Sequence, residues 1–251
     1  MTTPGASGGE RVIVCGRSSG FAEAIAALRG AGRLAPVSVT LVTEDDLGAS
    51  RCALIDADRV CGSPTSVEVL ERAGVCGALA VLIVREDACG GSGARIEPSD
   101  EFTLRVTLAA RSVDPDVSIL VEAGEARSRH LLEAAGATTV VSAETVGARA
   151  LAQSILNPGV SRVYDQLLGV GARGMGIYAV SRGGRLAKAR FGALERAVTS
   201  RGDCVVGWRE VDGTVNVNPS IGAVVPDDAA PLLVAADERA ATGILGAIVL
   251  S

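Results

Sequence analysis

Over roughly the first 150 residues, short apolar runs alternate with helix-patterned stretches, and the alternation repeats six times. The runs are Val12-Ile13-Val14-Cys15 and segments 37–43, 58–61, 78–84, 117–121 and 138–141. The stretches that follow them are 21–28, 47–55, 66–73, 100–112, 126–135 and 143–156. Strand, helix, strand in this order implies parallel pairing through right-handed crossovers, with helices on both faces of one sheet. Continuous apolar runs fit that geometry, because a strand covered on both faces has no side that meets water. Aromatic residues are only 2% of the chain and hydrophobic residues 48%, so the core must be built from Ala, Val, Leu and Ile.

Local signals punctuate the pattern. Thr65 is expected to cap a helix beginning at Ser66, with Glu68 in its first turn and Gly74 as its C-terminal cap. Asp114-Pro115-Asp116 ends one helix, Gly136 another, and Asn157-Pro158-Gly159 a third, before a further helix over 160–168. Beyond Gly169-Val170-Gly171 the character changes. Segments 176–180, 204–210, 214–217 and 232–236 read as strands, and Asp212-Gly213 is a hairpin turn. The expected fold is therefore α/β: a Rossmann-like doubly wound parallel sheet, a helical crossover and a small α+β C-terminal subdomain. The expected division is a flexible leader over 1–10, the Rossmann-like part over 11–142, a helix-turn-helix over 143–170 and the smaller subdomain over 171–251. The boundary between large and small parts is expected near 169–174.

Composition excludes several classes. The net charge of −5 supplies no basic excess for nucleic acid. No run of 18 apolar residues is present to span a membrane, and residues 1–10 lack the basic-then-apolar order of a signal peptide. The six cysteines, Cys15, Cys52, Cys61, Cys76, Cys89 and Cys204, form no CxxC pair and read as reduced thiols. Cys15 and Cys204 sit in apolar strand patterns as small hydrophobes. The single histidine, His130, stands beside Arg127 and Arg129 and reads as a surface residue. Trp208 reads as core, or as the wall of a cleft between paired subdomains.

The opening strand runs into Gly16-Arg17-Ser18-Ser19-Gly20. Gly16 stands where a dinucleotide fingerprint begins, but Ser18 and Phe21 occupy its next two glycine positions. In open α/β sheets ligands bind beyond the carboxyl ends of the strands. Gly16, Arg17, Ser18 and Ser19 end the first strand and Glu44 follows the second. Arg17 can meet a phosphate, and Glu44 can accept from a ribose hydroxyl. The plainer alternative is that Gly16 only permits the turn and Glu44 is a solvated strand end.

In order along the chain, Val12-Ile13-Val14-Cys15-Gly16, Leu41-Val42-Thr43-Glu44-Asp45, Gly62-Ser63-Pro64-Thr65, Val69-Leu70-Glu71-Arg72-Ala73-Gly74-Val75, Asp114-Pro115-Asp116-Val117 and Leu132-Glu133-Ala134-Ala135-Gly136-Ala137 form a set. Val206-Gly207-Trp208-Arg209 and Asn216-Val217-Asn218-Pro219 extend it into the second half. Together they resemble the RCK domain, the regulator of potassium conductance, and the TrkA-type subunits of bacterial potassium systems. The resemblance covers about residues 11–237. Three departures stand out: Ser63 replaces the acid of the family's Gly-Asp-Pro-Thr, the first turn looks like that of channel-type members, and the Gly-rich insertion 88–98 is long.

The resemblance implies a cytoplasmic ligand-sensing domain at the inner face of the membrane, held there by a potassium channel or transporter pore, with no membrane insertion of its own. Its implied ligands are an adenine nucleotide (NAD, NADH, ATP, ADP or AMP) or calcium. The nucleotide residues carried over are Gly16, Arg17, Ser18, Ser19, Glu44 and Ser63. The cation positions are Asp100 and Glu122; a further carboxylate position falls on Gly124, with Glu125 adjacent. The bland alternative makes Asp100 a helix cap and Glu122 an ordinary strand-end acid. Segment 143–168 corresponds to the helices that pair two subunits, with Val146, Leu151, Ile155, Val160, Val163, Leu167 and Leu168 as the apolar set. A homodimer, and an octameric ring built from it, follow from the same resemblance.

Two other readings use the same fold. One is a NAD(P)-dependent oxidoreductase, which a single histidine and two tyrosines without a lysine four residues on do little to support. The other is a gating scaffold with no ligand of its own.

Overall fold

The computed structural model describes residues 11–17, 25, 37–44, 56–86, 100–168, 175–180, 189–236 and 238–248. The leader 1–10, Ser18, Ser19, the expected helix 47–55, Cys52, Cys89, the insertion 88–98 and the boundary 169–174 lie outside these residues; of the expected helix 21–28 only Ile25 is described, helical and buried. The chain divides into two compact units, and the division falls between Leu156 and Asn157.

The first unit is built on a six-stranded parallel sheet. Its strands are β1 (Arg11–Arg17), β2 (Ser38–Thr43), β3 (Asp58–Cys61), β4 (Ala80–Glu86), β5 (Ser118–Glu122) and β6 (Thr139–Val141). Their order is β3-β2-β1-β4-β5-β6, the doubly wound order, with the direction of winding reversing between β1 and β4. The continuous apolar runs behave as expected of two-faced burial: Val12, Ile13, Val14 and Cys15 are all buried. Successive side chains point to opposite faces, so Ile13 and Cys15 join one core while Val12 and Val14 join the other. Among the described residues the unit also carries the helices α1 (Val67–Ala73), α2 (Glu101–Val113), α3 (Arg129–Ala134) and α4 (Ala143–Leu156), and a 3-10 turn, Ala126–Ser128, leads into α3.

Helix α1 starts one residue later than the sequence implies. Ser66, not Thr65, is its N-cap, accepting from Val69 N at 3.3 Å, while the Thr65 hydroxyl pairs with that of Ser63 at 3.0 Å. Gly74 caps the other end in the left-handed region (φ 82°), as expected, and Val75 N closes back on Leu70 O. The Asp114-Pro115-Asp116 motif has a structural task. The Asp114 carboxylate accepts from the backbone N–H groups of Asp116, Val117 and Gly77, tying the exit of α2 to the turn before β4. Those N–H groups, Asp116 first, hold its carboxyl below the usual range. Arg111 secures the same corner by donating to Pro115 O and to Gly136 O.

The second unit carries α5 (Val160–Leu168), β7 (Gly176–Ala179), α6 (Phe191–Thr199), β8 (Cys204–Arg209), β9 (Val215–Val217), β10 (Ala230–Ala235) and α7 (Glu238–Ile248). Its four strands form an antiparallel sheet in the order β7-β10-β8-β9. Asp212-Gly213 makes the expected hairpin, with Asp212 Oδ1 accepting from Thr214 N at 2.8 Å. Trp208 is core, its ring 5.8 Å from that of Phe191 and its indole N–H directed to Glu210. Cys204 departs from expectation. It opens β8 on the exposed side, whereas Cys15 is fully buried, and burial pushes the Cys15 thiol up to about 12. Helices α6 and α7 supply the helical part of the expected α+β subdomain, at positions the strand-dominated pattern of this half does not mark. Leu194 and Val198, one turn apart, are the signal that marks α6 as covering the sheet.

Candidate functional site at the carboxyl ends of the parallel strands

Gly16 lies in an irregularity of β1, between Cys15 paired with Ile83 and Arg17 paired with Glu86. Its φ of +97° belongs to glycine, and a Cβ there would run into the carbonyl oxygen of Val84 and approach the Phe102 ring at 3.2 Å. The glycine is thus required by β4 and α2 at the point where the winding reverses. Gly16 thus shapes this rim through contacts within its own chain.

Glu44 follows β2 directly and is exposed, with no hydrogen bond or ion pair among the described residues. Ser63 follows β3, held next to β2 by Gly62 N donating to Thr43 O at 3.1 Å. Gly16, Arg17, Glu44 and Ser63 therefore end three neighbouring parallel strands on one rim. The Ser63 hydroxyl is engaged with Thr65.

The acidic positions collect further along the same edge. Asp100 precedes α2 but does not cap it with its side chain. Its carboxylate instead accepts from Gly124 N at 2.7 Å and Glu125 N at 3.3 Å, closing the loop after β5 onto the start of α2. Glu122 Oε2 accepts from Arg85 N at 3.2 Å, joining the ends of β4 and β5. Glu125 pairs with Arg127. Where the family resemblance places another carboxylate, Gly124 leaves room for Arg85, and a Cβ at that position would sit 2.9 Å from the guanidinium carbon. Among the described residues no group of three or more His, Cys, Asp or Glu side chains is placed to hold a metal ion. Arg85 is the residue that sequence reading missed. Its signal was an arginine directly after the apolar run that forms β4, opposite a glycine one strand away. His130 is on the surface, its side chain 96% exposed.

Helices α4 and α5 form where expected, and neither buries a side chain fully. On α4, Val146, Leu151 and Ile155 are 53%, 70% and 81% exposed. On α5, Val163 and Leu168 are exposed as well. No helix among the described residues is long and apolar enough to cross a membrane.

The family model of the TrkA-N domain matches residues 12–143, more than half of the chain. Among solved structures, the human SLO3 gating ring superposes with a TM-score of 0.68 at 16% identity over 94% of this chain and 46% of that one. The GsuK channel bound to NAD matches at 19% identity and a TM-score of 0.47, covering 98% of this chain and 40% of that chain. The NAD(P)-binding domain of an exopolyphosphatase-related protein from Archaeoglobus fulgidus matches at 26% identity and a TM-score of 0.44, over 58% of this chain and 96% of that one. The chain spans about half the length or less of the two channel-related chains. With the doubly wound order, the glycine at its switch point and the family model in agreement, the chain belongs to the TrkA-N domain family.

Proposed function

We propose that this chain is the ligand-sensing regulatory domain of a potassium channel or potassium uptake system, and that its ligand is an adenine nucleotide. The reading places the nucleotide beyond β1 and β2, where Gly16 shapes the rim. The observation that carries it is Glu44: an exposed carboxylate, free of partners among the described residues, at the end of the strand beside Gly16. A carboxylate in that place accepts from ribose hydroxyls. Arg17, Ser18 and Ser19 follow Gly16 in sequence and are assigned to the phosphates. A cation held by Asp100, Glu122 and Glu125 has less support, because each carboxylate is already engaged by backbone N–H groups or by Arg127.

Regulation requires that the ligand bind one arrangement of subunits better than another. The exposed apolar side chains of α4 and α5 support pairing of two copies, and a ring of such pairs at the inner face of a membrane pore completes the proposal. The role is regulatory rather than catalytic.

Calorimetric titration of the full chain with NAD, NADH, ATP, ADP and AMP tests the nucleotide site. At least one nucleotide binds, and Glu44→Ala weakens it about tenfold, equivalent to about 1.4 kcal/mol. Absence of heat with all of them, or an unchanged Kd in Glu44→Ala, contradicts the assignment.

A further inference from the structure

A separate cavity lies further along the same edge of the first unit, at the carboxyl ends of β5 and β6. Its volume is about 160 Å³, too small for a nucleotide and ample for a tetrahedral oxyanion. Ala123, Ala126, Val140 and Val146 are its apolar lining residues, and Ser142 and Thr145 its hydroxyl-bearing ones. Arg129 from α3 and Arg149 from α4 complete it. Ser142 is buried and donates to Thr145 Oγ1 at 2.8 Å, which fixes both hydroxyls at the first turn of α4.

The charges in this cavity are unevenly satisfied. Glu125 is its one acidic lining residue, and its carboxylate is paired with Arg127. Arg129 reaches Glu133 only at 3.4 Å, and both side chains are more than two-fifths exposed, so that pair competes weakly for the guanidinium. Arg149 has no ion pair among the described residues. Arg129 and Arg149, from different helices, both line one small cavity, and with Glu125 as its one acid the lining carries a net positive charge. Guanidinium donors suit a planar or tetrahedral oxyanion because two N–H groups can meet two oxygens.

We propose that this cavity binds a phosphate-sized oxyanion, bridged by Arg129 and Arg149 and assisted by the Thr145 hydroxyl. The consequence is mechanical. Helix α4 buries none of its side chains, so little apolar contact holds it to the sheet. An anion clamped between α3 and α4 fixes the first two turns of α4, the helix that exposes Leu151 and Ile155. This site is distinct from the nucleotide rim and does not depend on it. The oxyanion can be free phosphate or the terminal phosphate of a larger molecule.

Calorimetry of the full chain with inorganic phosphate, at ionic strength held constant with chloride, tests the proposal. Wild type binds phosphate with a Kd at or below about 1 mM, and Arg149→Gln and Arg129→Gln each weaken it about tenfold or more. Both arginines are exposed, so these variants keep the fold, which circular dichroism verifies. AMP is the second probe: if its binding weakens in Arg149→Gln, the phosphate of a larger ligand is the occupant, and if only inorganic phosphate responds, the free ion is. No binding of phosphate or AMP at about 20 mM, or binding of both that is unchanged in the two arginine variants, overturns the proposal. Loss of phosphate binding in Glu44→Ala with no loss in Arg149→Gln would place the anion at the nucleotide rim and overturn it equally.

Discussion

The two sheets of this chain solve the same problem in opposite ways. In the parallel sheet, β1 is buried on both faces, with Ile13 in one core and Val12 and Val14 in the other. In the antiparallel sheet the sealing is incomplete: central β10 buries Ala230, Leu232 and Leu233, while on one face Ile177 of β7 and Val215 and Val217 of β9 stay half exposed or more. A sheet sealed on both faces can offer a ligand only its strand ends. That is where Gly16, Glu44 and Ser63 stand. A sheet open on one face offers a surface instead. The first sheet is thus suited to small ligands and the second to contact over an area.

Substitutions in the two sheets are expected to differ widely in cost. Ile119→Ala empties a fully buried position in β5 and costs about 2–5 kcal/mol in urea denaturation followed by circular dichroism. Gly16→Ala forces a Cβ into Val84 at positive φ and costs on the order of 1–3 kcal/mol by the same measurement. Ser66→Ala removes the N-cap of α1 and costs about 1 kcal/mol. Val217→Ala, on the open face of the second sheet, changes stability by less than about 0.5 kcal/mol, read by fluorescence of Trp208, the only tryptophan. A large loss from Val217→Ala would mean that the open face is not open.

The two units also carry matching pH devices. Asp114 in the first and Asp212 in the second have carboxyls held low by backbone N–H groups, from Asp116 and Thr214 respectively. A depressed folded-state pKa gives stability that is complete above the ordinary carboxylate range and lost as pH falls through the folded value. Asp114→Ala and Asp212→Ala therefore flatten the acid limb of the Tm–pH curve below about pH 4 and lower Tm at pH 7. An acid limb unchanged in both variants would contradict these roles.

Much of the first unit was legible because burial on both faces writes continuous apolar runs into the sequence. Strand β3 and helix α4 have the bounds that residue type alone implies. The second unit was less legible for the same physical reason. Strands open on one face at the sheet edges leave weaker patterns, the strand signals of this half give α6 and α7 no bounds, and Cys204 stands exposed rather than in the interior. At the site, Gly16 and Glu44 were readable from their position after apolar runs. Arg85 was not, because its place over Gly124 depends on the register of β4 against β5. The paired carboxylate and backbone contacts of Asp100 were hidden likewise, being made across a separation of 24 residues.

Regulation of the proposed kind couples nucleotide binding at the rim to pairing of copies through α4 and α5. Sedimentation equilibrium of the full chain, with and without saturating nucleotide, tests it most directly. The account predicts a dimer that Leu151→Asp disrupts, and a dimer dissociation constant that nucleotide shifts at least about fivefold, as coupling between sites requires. A strict monomer in both conditions, or a dimer constant identical with and without nucleotide, would contradict it.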